Sequence, residues 1–442
     1  MNKFSFKLNK RGIVVLFLVF AVLSSLTIFN AYGKYTANGT VTDSISLNVI
    51  SKQYILETGS QFNTHVRRAG LYRASKIVFG YTKGFADIIK SCTNPVVVDS
   101  ENKGTIKLYW DTDKTTAYVL SDSKIMANPD CSRMFWNLSA TELQPYNLST
   151  SLTTNMSKMF EQSSFTELDL NWMDTSNVTD MSYMFDYAKF TSLSLDAWDT
   201  HNVTTMESMF SGIGVPTFTL PGTFNTSNVT NMSRMFEYAK CTAVVFPSTF
   251  DTGNVTTMAY MFDQAKSLTS LDLSCFNTVK VTTMQRMFYG MQISSLDLHS
   301  FSNTSLENCN EMFRENDKLE SIYLCGFTSK AMSNISYMFA DIGDRSYYEK
   351  FYPRIYTLSG ISIADSSYSG YGPFYRSHVQ GPAGKSGVNT IGYEGKYAKQ
   401  ARDGLFTICQ NPTHNHSVNT LSSFSVVIDT TGFGNMTASQ TD

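Results

Sequence analysis

The histidines, cysteines and aspartates are among the groups in this 442-residue chain able to catalyse a reaction or hold a metal. The six histidines are His65, His201, His299, His378, His414 and His416. His414 and His416 have the spacing of a two-ligand metal pair, but their Asn-rich surroundings make an incidental pair the preferred reading. The seven cysteines, Cys92, Cys131, Cys241, Cys275, Cys309, Cys325 and Cys409, form no CxxC pair, so a zinc or thioredoxin-type site has no basis. One disulfide stays open and unassigned. Asp111-Thr-Asp-Lys-Thr115 resembles a calcium loop but lacks its length and terminal Glu. No GxSxG, HExxH, phosphate-binding loop or dinucleotide fingerprint occurs in a strand-to-helix setting. We therefore assign no catalytic residue, no metal ligand and no cofactor. The groups whose spacing carries information are Asp169, Ser194, Thr219, Asp272, Asp297 and Tyr323, with His299 beside them. They could hydrogen-bond an extended partner if one face of a sheet lined them up.

The elements that would do so come from a repeat. Met-Phe occurs at 134, 159, 184, 209, 235, 261, 287, 312 and 338, spaced by 25 or 26 residues. From Val178, apolar residues follow at Met181, Met184, Phe185 and Ala188, which reads as one face of a short helix. Eight residues after most of the Phe anchors stands an alternating triplet such as Leu168-Asp169-Leu170, Leu193-Ser194-Leu195 or Leu296-Asp297-Leu298, which reads as a half-buried strand. An aromatic column follows at Trp198, Phe224, Phe250, Phe276, Phe301 and Phe327. Polar loops such as Asp174-Thr175-Ser176-Asn177 offer side-chain oxygens as helix N-caps.

One strand and one short helix per unit cannot bury their own apolar faces, whereas stacked copies can. The predicted fold is thus an α/β repeat, a leucine-rich-repeat-like solenoid of about 25-residue strand-plus-short-helix units. The Met-Phe seam and the Leu ladder would form its core. Ile106–Trp110 and Thr116–Leu120 read as a β-hairpin across a polar turn, capping the first unit. Between the buried strand positions, Asp169, Ser194, Thr219, Val245, Asp272, Asp297 and Tyr323 would line an exposed face. That face reads either as a solvated surface or as a binding strip.

Units such as WDTHNVTTMESMF and LDLNWMDTSNVTDMSYMF resemble the BspA-type leucine-rich-repeat surface proteins, which share this repeat with mycoplasma surface lipoproteins. The resemblance covers roughly residues 105–345. It implies a leucine-rich-repeat-like solenoid on a microbial cell surface, with adhesion or binding as the usual role. Lys280, Ser305 and Ala331 depart from the loop Asn of 177, 202, 228 and 254, and Cys309 and Ile335 replace the first Met.

Lys3, Lys7, Lys10 and Arg11 precede the apolar run Ile13–Phe29, so residues 1–33 read as a signal peptide or a signal anchor with the remaining chain outside the cytoplasm. Residues 34–104 form a β-rich N-terminal segment, 105–130 the hairpin cap and 131–345 the repeats. Residues 346–442 are a Tyr/Gly/Ser-rich region and polar tail, for which a closing cap is preferred over a recognition surface. Net charge is −2, so no field favours nucleic acid. Membrane contact is expected only through the N-terminal segment, if it is uncleaved. The expected function is a non-enzymatic, secreted or cell-surface binding protein, adhesin-like, for an extracellular protein or glycan of a host or neighbouring cell. The alternatives are a stalk or coat protein without a ligand and, after that, a glycan or peptide hydrolase in the flanking regions.

Overall fold

The computed structural model describes residues 54–324, 327 and 334–342, together with short backbone strands outside them such as Ile45–Ser51 and Arg354–Thr357. Residues 13–26 of the apolar run, residues 368–375, Cys325, Cys409, His414 and His416 lie outside the described residues. No helix among the described residues is long and apolar enough to cross a membrane.

Thr58 starts the helix Gly59–Arg68 with a capping box closed by Gln61. The helix buries Phe62 and Val66, and Phe62 meets Phe79 and Phe135 at 6.1 and 6.4 Å between ring centroids. A five-stranded sheet follows in the order Glu142–Gln144, Lys76–Tyr81, Thr116–Ser121, Ile106–Trp110, Val96–Val97. Ile106–Trp110 and Thr116–Ser121 pair antiparallel, so the hairpin is present. Lys76–Tyr81 pairs parallel with Thr116–Ser121 on one side and with Glu142–Gln144 on the other.

The repeated units then stack in parallel. Single bridges run Asp130, Asn155, Asp180, Thr205, Asn231, Thr257, Thr283, Asn308, Asn334, each paired with the next. The Met of every Met-Phe pair is fully buried, and the Phe at least 99% so; each such side chain contributes about 2–3 kcal/mol by leaving water. The nine Phe rings, from Phe135 to Phe339, form one offset stack with neighbours 5.1 to 5.9 Å apart.

The expected solenoid of strand-plus-short-helix units is not what these residues build. Among the described residues from 131 onward there is no helix; each Met-Phe segment is a ribbon of consecutive tight turns. In the unit around Met184, the N–H groups of Met181, Tyr183, Phe185 and Tyr187 donate to Thr205, Glu207, Met209 and Ser211 of the next unit. The intervening N–H groups of Met184, Asp186 and Ala188 close turns onto Met181, Tyr183 and Phe185. Tyr183 and Tyr187 have φ of 57° and 51°. Residues at the same two places in the other units, such as Arg133 and Asn137 or Tyr260 and Gln264, are left-handed as well. A right-handed helix cannot pass through two left-handed residues four apart. Turns that advance three residues at a time bury Val178, Met181 and Met184 on one side just as a helix would, and the apolar spacing alone does not separate the two.

The polar loops differ in the same way. Asp174 Oδ1 accepts from the N–H of Ser176 and holds its own turn rather than a helix start. Thr175 is buried and donates from Oγ1 to the Asp199 carbonyl of the next unit, 2.8 Å away. Thr200, Thr226, Thr252 and Thr278 repeat that bond. Asn177, Asn202, Asn228 and Asn254 donate from Nδ2 to carbonyls of the preceding unit.

Closure of the stack is also wider than a hairpin. The first unit presents the carbonyls of Asp130, Ser132, Met134 and Trp136 with no earlier unit to bond them. The Gly59 N–H, Ser60 Oγ, Asn63 Nδ2 and the Arg67 guanidinium meet that row in turn; Asn63 Nδ2 spans Met134 and Trp136 at 3.4 and 3.0 Å. A Cβ on residue 59 would collide with the Ser132 carbonyl, so only glycine lets the helix start approach this closely. The helix thus satisfies an edge that would otherwise pair with another chain.

Candidate recognition surface

Short strands carry most of the strip expected to bind. Asp169 pairs in register with Ser194, Thr219 with Val245, and Asp297 with Tyr323. The alternating Leu168, Phe218, Val244, Leu296 and Ile322 are buried beneath them. Asp169, Thr219, Asp272, Asp297 and His299 are exposed, and Ser194 and Tyr323 half-buried. The row is interrupted: Asp272 lies in a segment without regular strand pairing, and Val245, 47% exposed, puts an apolar side chain at its middle.

The aspartates are not loose. Oδ1 of Asp169, Asp272 and Asp297 accepts the backbone N–H two residues ahead, from Asn171, Ser274 and His299. The Ser274 N–H, helped by its hydroxyl, holds the Asp272 carboxyl below the usual carboxylate range. His299 Nδ1 lies 2.7 Å from Asp297 Oδ1, so the histidine pairs with its own turn. Asn171 Nδ2 donates to Ser194 Oγ, which donates to Asp196. The result is a line of fixed acceptors and hydroxyls able to hydrogen-bond an extended partner. These short-range bonds have a legible signal, an Asp followed two residues later by Asn, Ser or His, that the strand pattern alone did not bring out.

Other residues singled out for their chemistry are engaged structurally. His65 Nδ1 contacts buried Glu57 at 2.8 Å, and His201 contacts Asp199 at 2.7 Å. Asp111 accepts from Thr115 and Thr116 and holds the hairpin turn. Cys92, Cys131, Cys241 and Cys275 are free thiols, and burial pushes Cys131 up to about 12. Among the described residues there is no cluster of three or more metal-ligating side chains.

The sequence pattern missed a second surface, on the turn ribbons. Lys158 lies over Tyr183, Arg234 over Tyr260, Arg286 over Tyr289 and Arg314 over Tyr337, at 3.8 to 4.9 Å from the ring centroids. Carboxylates alternate with them: Tyr183 Oη donates to Glu207, and Arg234 holds Glu237 at 2.8 and 3.0 Å.

Residues 129–240 and 219–325 match a family described as a Mycoplasma protein of unknown function, DUF285. No curated protein and no solved structure matches the chain. The mycoplasma side of the resemblance is thereby supported, whereas the BspA-type leucine-rich-repeat side is not. Over residues 129–325, under half its length, the chain is similar to a Mycoplasma-type repeat family of unknown function.

Proposed function

We propose that this is a cell-surface or secreted recognition protein that binds an extracellular protein or glycan along its strand face. The observation that carries the reading is that exposed Asp169, Thr219 and Asp297 stand in register with Ser194, Val245 and Tyr323 in three strand pairs, Asp169 and Asp297 being held by bonds within their own turns. Fixed groups bind at a lower ordering cost than mobile ones. The mycoplasma-type repeat match and the basic, then apolar, N-terminus support placing it outside the cytoplasm.

The test is binding of the full chain to matrix proteins, mucins and neutral glycans, beside Asp169→Asn/Asp272→Asn/Asp297→Asn/Tyr323→Ala. Saturable binding that the variant weakens by about tenfold or more, roughly 1.4 kcal/mol, is expected. Binding that is absent, or unchanged in a variant with a normal thermal transition, contradicts the strip and leaves a stalk or coat role.

A further inference from the structure

Two units carry nearly the same quartet after Met-Phe, Asp186-Tyr187-Ala188-Lys189 and Glu237-Tyr238-Ala239-Lys240. The unit between them has Ser211-Gly212-Ile213-Gly214 instead. Gly212 has φ +67°, and a Cβ there would lie 2.8 Å from Tyr187 Cδ1. The bare position lets Tyr187 and Tyr238 meet across an entire unit, with ring centroids 6.3 Å apart and planes tilted by 38°. They remain 43% and 42% exposed. Elsewhere this left-handed place holds Asn137, Gln162, Gln264, Glu315 and Asp341, or glycine at 290. Aromatic residues stand there only where the two can touch. Tyrosine gains little core burial at such a place and bears the strain of a left-handed backbone.

The charges around the pair are unequal. Glu237 is buried and bound to Arg234, and Asp186 is half-buried beneath a hydrogen bond from Ser211. Lys189 and Lys240 are exposed and form no ion pair with a described residue. Ala188 and Ala239 are buried between exposed neighbours, so in each quartet Tyr and Lys both reach solvent. The surface therefore offers two ring faces, two phenolic hydroxyls and two ammonium groups outside any described ion pair, with the Asp186 and Glu237 carboxylates acting on the Tyr187 phenol.

We propose that Tyr187, Lys189, Tyr238 and Lys240 form a binding site for an acidic saccharide, a sugar bearing a carboxylate or a sulfate. The C–H face of a pyranose ring packs on the tyrosines, its hydroxyls bond the phenols, and the lysines take the anionic substituent. A cationic ligand would meet the same two ammonium groups. The site uses turn-ribbon residues and does not depend on the strand face.

The test is equilibrium binding of the full chain to oligogalacturonate and to a heparin-derived oligosaccharide, with maltohexaose as the neutral probe. At least one acidic probe should bind at least about tenfold more tightly than maltohexaose, with Tyr187→Asn/Tyr238→Asn losing about tenfold or more. Asparagine tolerates the left-handed backbone, which preserves the fold. Lys189→Gln/Lys240→Gln, on exposed side chains, should bring acidic binding down to the neutral level. Asp169→Asn/Asp272→Asn/Asp297→Asn should leave it intact, which separates this site from the strip. No binding of either acidic probe, equal binding of maltohexaose, or acidic binding that survives either double substitution overturns the proposal.

Discussion

The turn ribbons and the strand face belong to the same repeated units yet differ in how completely they are bonded. The bridges from Asp130 to Asn334 run without a break, and the nine Phe rings stack beneath them. The strands instead pair in separate groups, Glu167–Asp169 with Ser192–Ser194, Thr217–Thr219 with Ala243–Val245, and Ser295–Asp297 with Ser321–Tyr323, which goes on to pair with Arg354–Thr357; there is no regular pairing at residues 271–273. Sequence regularity follows the same division: Met-Phe barely changes, whereas the exposed strand residues run from Asp to Val to Tyr. The ribbon is the continuously bonded part of each unit, and the strand face the part whose residues vary.

Loss of a ring from the ribbon should break the contrast most severely. Phe236 is fully buried between Phe210 and Phe262, at 5.6 and 5.7 Å, so Phe236→Ala is expected to cost about 3–5 kcal/mol in urea or thermal unfolding. A smaller loss is expected from Thr226→Val. The shape is kept, but the Asp251 carbonyl loses its donor at 2.8 Å, a cost of about 1–3 kcal/mol. A gain should come from Asp186→Asn. Burial, with like charge from Glu161 and Glu237, pushes the Asp186 carboxyl up to about 6, against 3.8 in the unfolded chain. The folded state then holds more protons between those values, so stability falls as pH rises from about 4 to 6. The cost persists above that window. Discounted for partial exposure, removing the charge should return about 1 kcal/mol at pH 7. Thermal transitions of Asp186→Asn should also lose the downward slope between pH 4 and 6.

Much of this was legible before any coordinates, and the parts that were not have physical causes. The 25- to 26-residue period, the buried Met and Phe, the hairpin and the exposed strand positions all follow from spacing and alternation. The helix did not survive because three-residue turns and a helix bury the same positions, while Tyr183, Arg234 or Lys158 at positive φ carry no compositional mark. Gly or Asn at that first place would have given the turn away; at the second place Asn137, Gly212 and Gly290 do carry the mark, but in too few units to stand out. Asn63 and Arg67 look like surface residues of a short amphipathic helix. Their capping role exists only relative to a row of unpaired carbonyls about 70 residues later. The tyrosine pair escaped notice because nothing local brings Tyr187 and Tyr238 together; Gly212, in the unit between, does.

Amide hydrogen exchange on the full chain tests the contrast between ribbon and strand most directly. The amides of Phe185, Phe210, Phe236 and Phe262, each bonded to the next unit, should exchange only through global unfolding and form the slowest group. Amides of the strand row, such as those of Leu170 and Leu220, should exchange faster, through local opening. Equal protection of the two sets, or slower exchange along the strands, would contradict a rigid ribbon carrying a more loosely bonded strand face.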